Sequence, residues 1–359
     1  MPKTRIEDVR RIIVRTPNWV GDAVMSLPFL SSLRLNSPEA EICLLTRPGL
    51  EDLFAQVKAA NRVITLDATT GQHGLRTVWR NAKSLRREGF DLGFCLPPSF
   101  GSALMFRLAG IRRRIGHAAD RRGWLLSDSL PYLPDGKRPH RAEAYLELLG
   151  LVWGDPRIDR ALRYNPGDAA RSHADRLLRE IGVADASRML VVAPGAAQPN
   201  KMWAPERFSD VCSRWLSKDG TSVIVVGGEG DRDAANRIRV PESDRLFNLC
   251  GAGSLPLVAA IIERARMFVG NDSGLSHLAA AAGAPVVVIS GPGDPSEVAP
   301  FTDRAKTVKK SLFCSPCYSN TCFRKDHPLE CQELVSVEDV WEAVNTERTK
   351  ESTADCAET

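Results

Sequence analysis

The feature that most limits the fold of this chain is an alternation of short strand-like runs with longer stretches of helical spacing, and it runs through twice. In the first half the short runs are Ile12–Val14, Ile42–Leu45, Val63–Leu66 and Leu92–Leu96. Between them Leu27, Leu30 and Leu33, and again Val78, Ala82 and Leu85, recur at helical intervals. In the second half Met189–Ala193, Ser222–Val226, Met267–Val269 and Val286–Ile289 read as buried strands, with Phe208–Leu216, Leu257–Ala265 and Leu275–Ala282 as the helices between them. Such alternation makes βαβ units and a parallel sheet. The pattern predicts an α/β protein of two doubly wound, Rossmann-like halves facing each other across a cleft, lined by loops from the carboxyl ends of both sheets. The stretch from Asp155 to Asp168, with Pro156, Pro166 and Gly167, reads as the linker. The expected domains are therefore 1–165 and 166–345, followed by a polar tail, 346–359, that should fray.

Composition removes the other classes. With 359 residues, 43% apolar and 26% charged, the chain is neither disordered nor collagen-like and is long enough for two cores. No apolar run reaches the roughly 18 residues of a spanning helix; the nearest, Leu278 to Gly291, is broken by Gly283 and Pro285. The first ten residues are charged and show no secretory h-region. Nine cysteines, four of them crowded between 314 and 331, suit a reducing compartment better than a disulfide framework. A cytoplasmic location is expected.

Charge is unevenly spread. Residues 1–165 hold 26 Lys and Arg against 17 Asp and Glu, a surplus of nine, whereas residues 166–359 hold 22 against 27. The surplus concentrates in Arg112-Arg113-Arg114, Arg121-Arg122 and Lys137-Arg138 with His140. A solvated basic face and a surface for a polyanion both fit. Aromatics are scarce there, which argues against stacked single-stranded nucleic acid.

Four loops at strand ends carry the candidate chemistry. Thr16-Pro17-Asn18-Trp19-Val20-Gly21-Asp22 follows the first strand, with Gly21 expected to let the backbone turn sharply and Asp22 at a helix start. An N-cap role would also account for Asp22. The loop is not G-x-G-x-x-G, so a nicotinamide enzyme is disfavoured. Ala193-Pro194-Gly195-Ala196-Ala197-Gln198-Pro199-Asn200-Lys201 opens the second half and offers one lysine to a phosphate, without the G-K-[ST] ending of a Walker loop. Glu229, after Gly227 and Gly228, suits either a ribose hydroxyl or a helix cap. In Gly270-Asn271-Asp272-Ser273-Gly274-Leu275-Ser276-His277 small residues leave N–H groups open at a helix N-terminus, where a diphosphate binds readily.

Together these loops resemble the bacterial lipopolysaccharide heptosyltransferases, a family of ADP-heptose-dependent glycosyltransferases with the GT-B fold. The resemblance rests on Asn18-Trp19-Val20-Gly21-Asp22 with Leu27-Pro28, on Pro194-Gly195 with Lys201 and Trp203, on Asn271 to His277, and on Cys314-Ser315-Pro316-Cys317 with Cys322 and Cys331. It spans residues 11 to about 345. The Asn-Trp-Val-Gly-Asp form and Leu96-Pro97-Pro98-Ser99-Phe100 are most similar to the heptosyltransferase II branch, which adds the second heptose of the inner core.

The resemblance implies an inverting transfer from ADP-heptose to a phosphorylated lipid A-core acceptor, heptosyl-Kdo2-lipid A, with no required metal and no nucleic acid. It implies Asp22 as the base that deprotonates the acceptor hydroxyl, and Asn18, Gly21 and Arg121 on the acceptor side. On the donor side it places Lys201 at the diphosphate and heptose, Asp272 at the sugar, Ser273 and Gly274 in the phosphate turn, His277 in the donor site and, more loosely, Glu229 at the ribose. Ala196 and Ala197 depart from relatives that carry hydroxyl residues beside the diphosphate. Peripheral contact with the cytoplasmic face of the inner membrane would give the basic first half an anionic partner.

Cys314-x2-Cys317-x4-Cys322-x8-Cys331 has the make-up of a structural zinc site, with His327 as an alternative ligand, or of four packed thiols. Cys43, Cys95, Cys212 and Cys250 lie in or beside apolar runs and are expected in the core. Three rivals share some of these features. A transferase adding the first heptose onto Kdo would have the same donor loops. A GT-B epimerase would have no use for so basic a first half, and a zinc-stabilised nucleic-acid binder leaves Asp22, Lys201 and the 270–277 loop unexplained.

Overall fold

The computed structural model describes residues 9–67, 74–241 and 243–355. The chain divides into two units, Met1–Ala161 and Leu162–Thr359, and the division falls inside the expected linker, slightly before residue 165. Each unit has its own parallel sheet and its own core.

In the first unit the strands are β1 (Arg11–Arg15), β2 (Glu41–Thr46), β3 (Arg62–Thr65), β4 (Leu92–Cys95), β5 (Arg113–His117) and β6 (Asp128–Leu130). They lie side by side in the order β3-β2-β1-β4-β5-β6, all parallel. Its main helices are α1 (Val20–Met25), α2 (Leu27–Asn36), α3 (Leu75–Glu88), α4 (Phe100–Leu108) and α5 (Arg141–Trp153). Packing of α2 on α5 and of α3 on α4 provides the helical cover that leaves β1, β2 and β4 almost wholly buried. That double burial is why these strands read as continuous apolar runs rather than alternating ones.

The second unit repeats the plan. Its main helices are α6 (Asp168–Glu180), α7 (Pro205–Leu216), α8 (Leu255–Ile262), α9 (Gly274–Ala281) and α10 (Val337–Asp355). Its strands are β7 (Met189–Ala193), β8 (Ser222–Val225), β9 (Leu246–Asn248), β10 (Met267–Asn271), β11 (Val286–Ile289) and β12 (Ala305–Val308), in the order β12-β11-β10-β7-β8-β9. Counted from its own first strand, this is the same order as in the first unit. Strand order therefore reverses between β1 and β4 in one sheet and between β7 and β10 in the other. In open α/β sheets, ligands bind outside the carboxyl ends of the strands at such a reversal. Thr16–Asp22, Pro194–Lys201 and Asp272–His277 all start at these four strand ends.

Two expectations change. The tail from Thr346 does not fray at once, because α10 continues to Asp355; Val337, Val340, Ala343 and Val344 are buried in the second core and anchor the helix. Residues 356–359 lie outside the described ones. The basic clusters of the first half are not one solvated face. Arg113 belongs to β5 and is buried, and Arg122 is wholly buried. Arg122 Nε donates to the carbonyl of His117 at 2.9 Å, and its terminal nitrogens donate to those of Ser99 at 3.0 Å and Cys95 at 3.2 Å. Gly116 makes room for it, since a Cβ there would stand 3.0 Å from Arg122 Nη2 and 2.9 Å from the Cys95 carbonyl. This arginine ties the ends of β4 and β5 to the loop that leads into α4.

Candidate functional site

β1 ends in Arg15, which is buried and pulled down to about 10 by that burial. Its guanidinium donates to the carbonyls of Thr16 and Leu45 and to Asn18 Oδ1, so the loop that follows is tied to the end of β2. Trp19, in extended conformation, caps α1 without a side-chain bond. Asp22 is therefore not the N-cap; it is the third helical residue. Gly21 lies inside the same helical turn and not among the positive-φ glycines, so the sharp glycine turn expected there is not made.

Asp22 Oδ1 stands 3.8 Å from Arg141 Nε, both side chains about one-quarter exposed (25% and 22%). Arg141 opens α5, whose N-cap is His140. Burial works to lower the Arg141 pKa, but the Asp22 carboxylate, with Tyr145 and Tyr132, outweighs it and keeps the guanidinium charged. Burial and the Asp22 charge push the Tyr145 phenol well up, so it stays neutral. At the end of β5, burial pulls His117 down to about 4, helped by Arg122 and Arg141. The result is a carboxylate facing one fixed cation among groups that carry no negative charge of their own. No local motif marks Arg141, Tyr145 or His117, which reach this place only through the sheet order. Arg121 is exposed, on a turn with φ 53°.

In the second unit the loop after β7 reaches a 3₁₀ turn, Pro199–Lys201. Lys201 Nζ donates to Asp272 Oδ2 at 2.8 Å, with the lysine 26% and the carboxylate 7% exposed. Asn271, wholly buried, fastens the loop from behind: its Nδ2 donates to the Pro194 carbonyl at 2.7 Å and its Oδ1 accepts from the Trp203 N–H at 3.0 Å. Trp203 is itself wholly buried and donates its indole N–H to the Val335 carbonyl. Ser273 caps α9 in extended conformation without a side-chain bond, and Gly274 is the first helical residue. Both are half-buried, and His277, one turn on, is buried. The α9 N-terminus thus holds backbone donors beside a lysine–aspartate pair, which is chemistry for a diphosphate.

Glycine is required nearby. A Cβ at Gly195 would fall 2.1 Å from Asp231 Oδ1, and one at Gly293 would fall 3.0 Å from Asp272 Oδ2. Asp231 accepts from the Gly228 N–H at 2.8 Å, so it braces the β7 and β8 loops together; nothing in the linear sequence signalled this. Glu229 is not drawn into the lysine–aspartate pair. It is 74% exposed and bonds Arg232 at 2.8 Å.

The cysteine-rich segment straps these loops. Cys314, Cys317, Cys322 and Cys331, with His327, line one cavity of about 20 Å³. All four are free thiols. A donor set of four thiols suits zinc, but among the described residues no three His, Cys, Asp or Glu side chains are placed to hold a metal ion. As they stand the thiols do not fit one. The segment does hold the donor-side loops by other bonds. The Cys317 N–H donates to the Pro292 carbonyl at 3.0 Å, Ser315 Oγ to that of Gly291 at 2.6 Å, and Asn200 Nδ2 to that of Ser319 at 2.8 Å.

A family model described as glycosyltransferase family 9 (heptosyltransferase) matches residues 78–327. The chain belongs to that family. This family 9 glycosyltransferase is 26% identical to lipopolysaccharide heptosyltransferase 2 of Escherichia coli over 83% of its own length and 88% of the relative's. It is 28% identical to lipopolysaccharide heptosyltransferase 3 of E. coli, over 79% and 83%. The solved structure of E. coli ADP-heptose lps heptosyltransferase II superposes with a TM-score of 0.78 at 24% identity, covering 95% of this chain and 99% of that one. The two doubly wound units are those of the GT-B fold, and the chain is an enzyme of the glycosyltransferase class.

Proposed function

We propose that this glycosyltransferase moves L-glycero-D-manno-heptose from ADP-heptose to heptosyl-Kdo2-lipid A, the second heptose of the lipopolysaccharide inner core. It does so with inversion, without a required metal, on the cytoplasmic face of the inner membrane. One observation carries the reading: a carboxylate, Asp22, and a cation, Lys201, occupy the loops that follow the first strand of each sheet. Those are the positions where the fold presents ligands.

In this mechanism the acceptor hydroxyl oxygen attacks the anomeric carbon of the donor as its proton passes to Asp22. The bond from that carbon to the diphosphate oxygen breaks, and ADP leaves with the electron pair. Arg141, 3.8 Å away, holds the Asp22 carboxylate in place until the proton arrives. Lys201 and the N–H groups at Ser273 and Gly274 take up charge as it develops on the leaving diphosphate. Asp272 holds Lys201 in place, and His277 and Glu229 contribute to the donor site. Asn18, Gly21 and Arg121 serve the acceptor. With Ala196 and Ala197 offering no hydroxyl, the diphosphate relies on backbone donors at that point.

A second reading, transfer to an already diheptosylated acceptor, has its own support in the 28% identity to a lipopolysaccharide heptosyltransferase 3. Three acceptors offered separately with ADP-heptose, namely Kdo2-lipid A and its mono- and diheptosyl forms, distinguish the steps by product mass. Gain of one heptose on the monoheptosyl form alone supports the reading. Gain only on the diheptosyl form moves the enzyme to the later step, and gain only on Kdo2-lipid A moves it to the first. No transfer to any of them contradicts the donor.

A further inference from the structure

We propose that the outer face of α3, continued by the turn at Trp124, is the surface on which this protein settles against an anionic lipid bilayer; the inference rests on the reading that the enzyme works at the inner membrane. α3 carries five basic residues and a single acid, Glu88. That acid is engaged by Arg11 and Arg62, and the nearby Asp67 by Arg80. The helix meets its packing needs through Asn81, Ala82 and Leu85, which are buried. Lys83, Arg86 and Arg87 point to solvent on the other side.

Leu75, 74% exposed, and Trp79, 58% exposed, stand on that same helix, and the folding of the unit gives no reason for them to be apolar. α3 packs on α4, and α4 on the turn Gly123–Leu125, where Trp124 is 65% exposed. Each indole has a cation at its ring: Lys83 Nζ lies 5.3 Å from the Trp79 centroid, and the Arg107 guanidinium 5.8 Å from that of Trp124. Indoles that enter the interfacial layer while adjacent cations meet lipid phosphates are what a membrane surface selects. Cations and indoles also suit single-stranded nucleic acid. Leu75 decides for the bilayer, since an exposed aliphatic chain gains by insertion among acyl chains and contributes nothing to base stacking.

The test is co-sedimentation of the full chain with phosphatidylcholine vesicles, with and without phosphatidylglycerol, at physiological salt. Wild-type protein should pellet with the phosphatidylglycerol vesicles. Affinity should fall about tenfold or more in a Lys83→Glu/Arg87→Glu double variant, since each interfacial cation matters severalfold, and severalfold in Leu75→Ser/Trp79→Ser. Heptosyl transfer to acceptor dispersed in detergent should stay at the wild-type rate in both variants. The inference is overturned if wild type does not pellet, if the variants pellet as well as wild type, or if they lose transfer in detergent, which would place the surface in the acceptor site. Loss of binding to an RNA oligonucleotide with vesicle binding retained would overturn it too. Absence of transfer by every form, with vesicle binding behaving as described, would count against the heptosyltransfer reading and leave the surface standing.

Discussion

At the residue scale, the charged side chains divide by what surrounds them, and that division was only half legible in the sequence. Asp22, Lys201 and Asp272 stand in short motifs with glycine or asparagine neighbours, so spacing alone drew attention to them. Arg141, far from Asp22 along the chain, did not stand out because its role depends on which strand lies beside which. Arg122 stands in a basic cluster that looks like surface charge, since a sequence does not say that carbonyls at the ends of β4 and β5 converge on it. Replacing it with methionine should destabilise the first unit by about 2–4 kcal/mol, the scale of several buried hydrogen bonds from a charged group lost together, read as a fall in its thermal midpoint. His117 offers a pH test. Its folded pKa, about 4, lies below the ordinary 6.5, so between those values the unfolded chain binds the proton and the folded one does not. Stability is then fully present above about pH 6.5 and is lost as pH falls toward 4, by an amount on the order of 2 kcal/mol. His117→Gln should flatten that part of the thermal-midpoint profile; an unchanged slope would mean that another group causes the loss.

At the scale of elements, the central strands and the edge strand β3 are legible in the sequence, whereas β5, β6, β9 and β12 are not. β1, β7 and β11 are buried on both faces and rich in Val, Ile and Leu, a pattern that composition alone carries, and β4 and β10 are as buried with Phe and Gly among their residues. β6, β9 and β12 are short, partly exposed and close to polar, and β5, Arg113–His117, hides two arginines in a strand. Edge strands have fewer neighbours to satisfy, so their sequences are weakly constrained. The donor-side loops are held at element level, by Asn271 behind and by Asp231 beside Gly195. Gly195→Ala would drive a methyl into the Asp231 carboxylate and free the β8 loop. Donor affinity should fall at least severalfold, with a stability loss of about 1–3 kcal/mol, measured by calorimetric titration with ADP and by thermal unfolding. Wild-type donor affinity in this variant would show that the brace is unrelated to the site.

At the scale of the whole molecule, one strand order is used twice, and each sheet is followed at its first strand by a charged side chain, Asp22 in one unit and Lys201 in the other. Each unit has a hydrophobic cluster of its own, and the chain should unfold in two calorimetric transitions rather than one. ADP at about a hundred times its Kd should stabilise one of them by about 2.7 kcal/mol and leave the other in place; a shift of both would place nucleotide contacts in each unit. In the proposed mechanism Asp22 removes the acceptor proton while the second unit alone holds the donor. The direct measurement is an Asp22→Asn variant followed in two ways, ADP-heptose binding by calorimetry and transfer in a single turnover. Donor affinity should match the wild type while the transfer rate falls by a factor of about a hundred or more. Wild-type transfer, or donor binding lost in step with transfer, would contradict it.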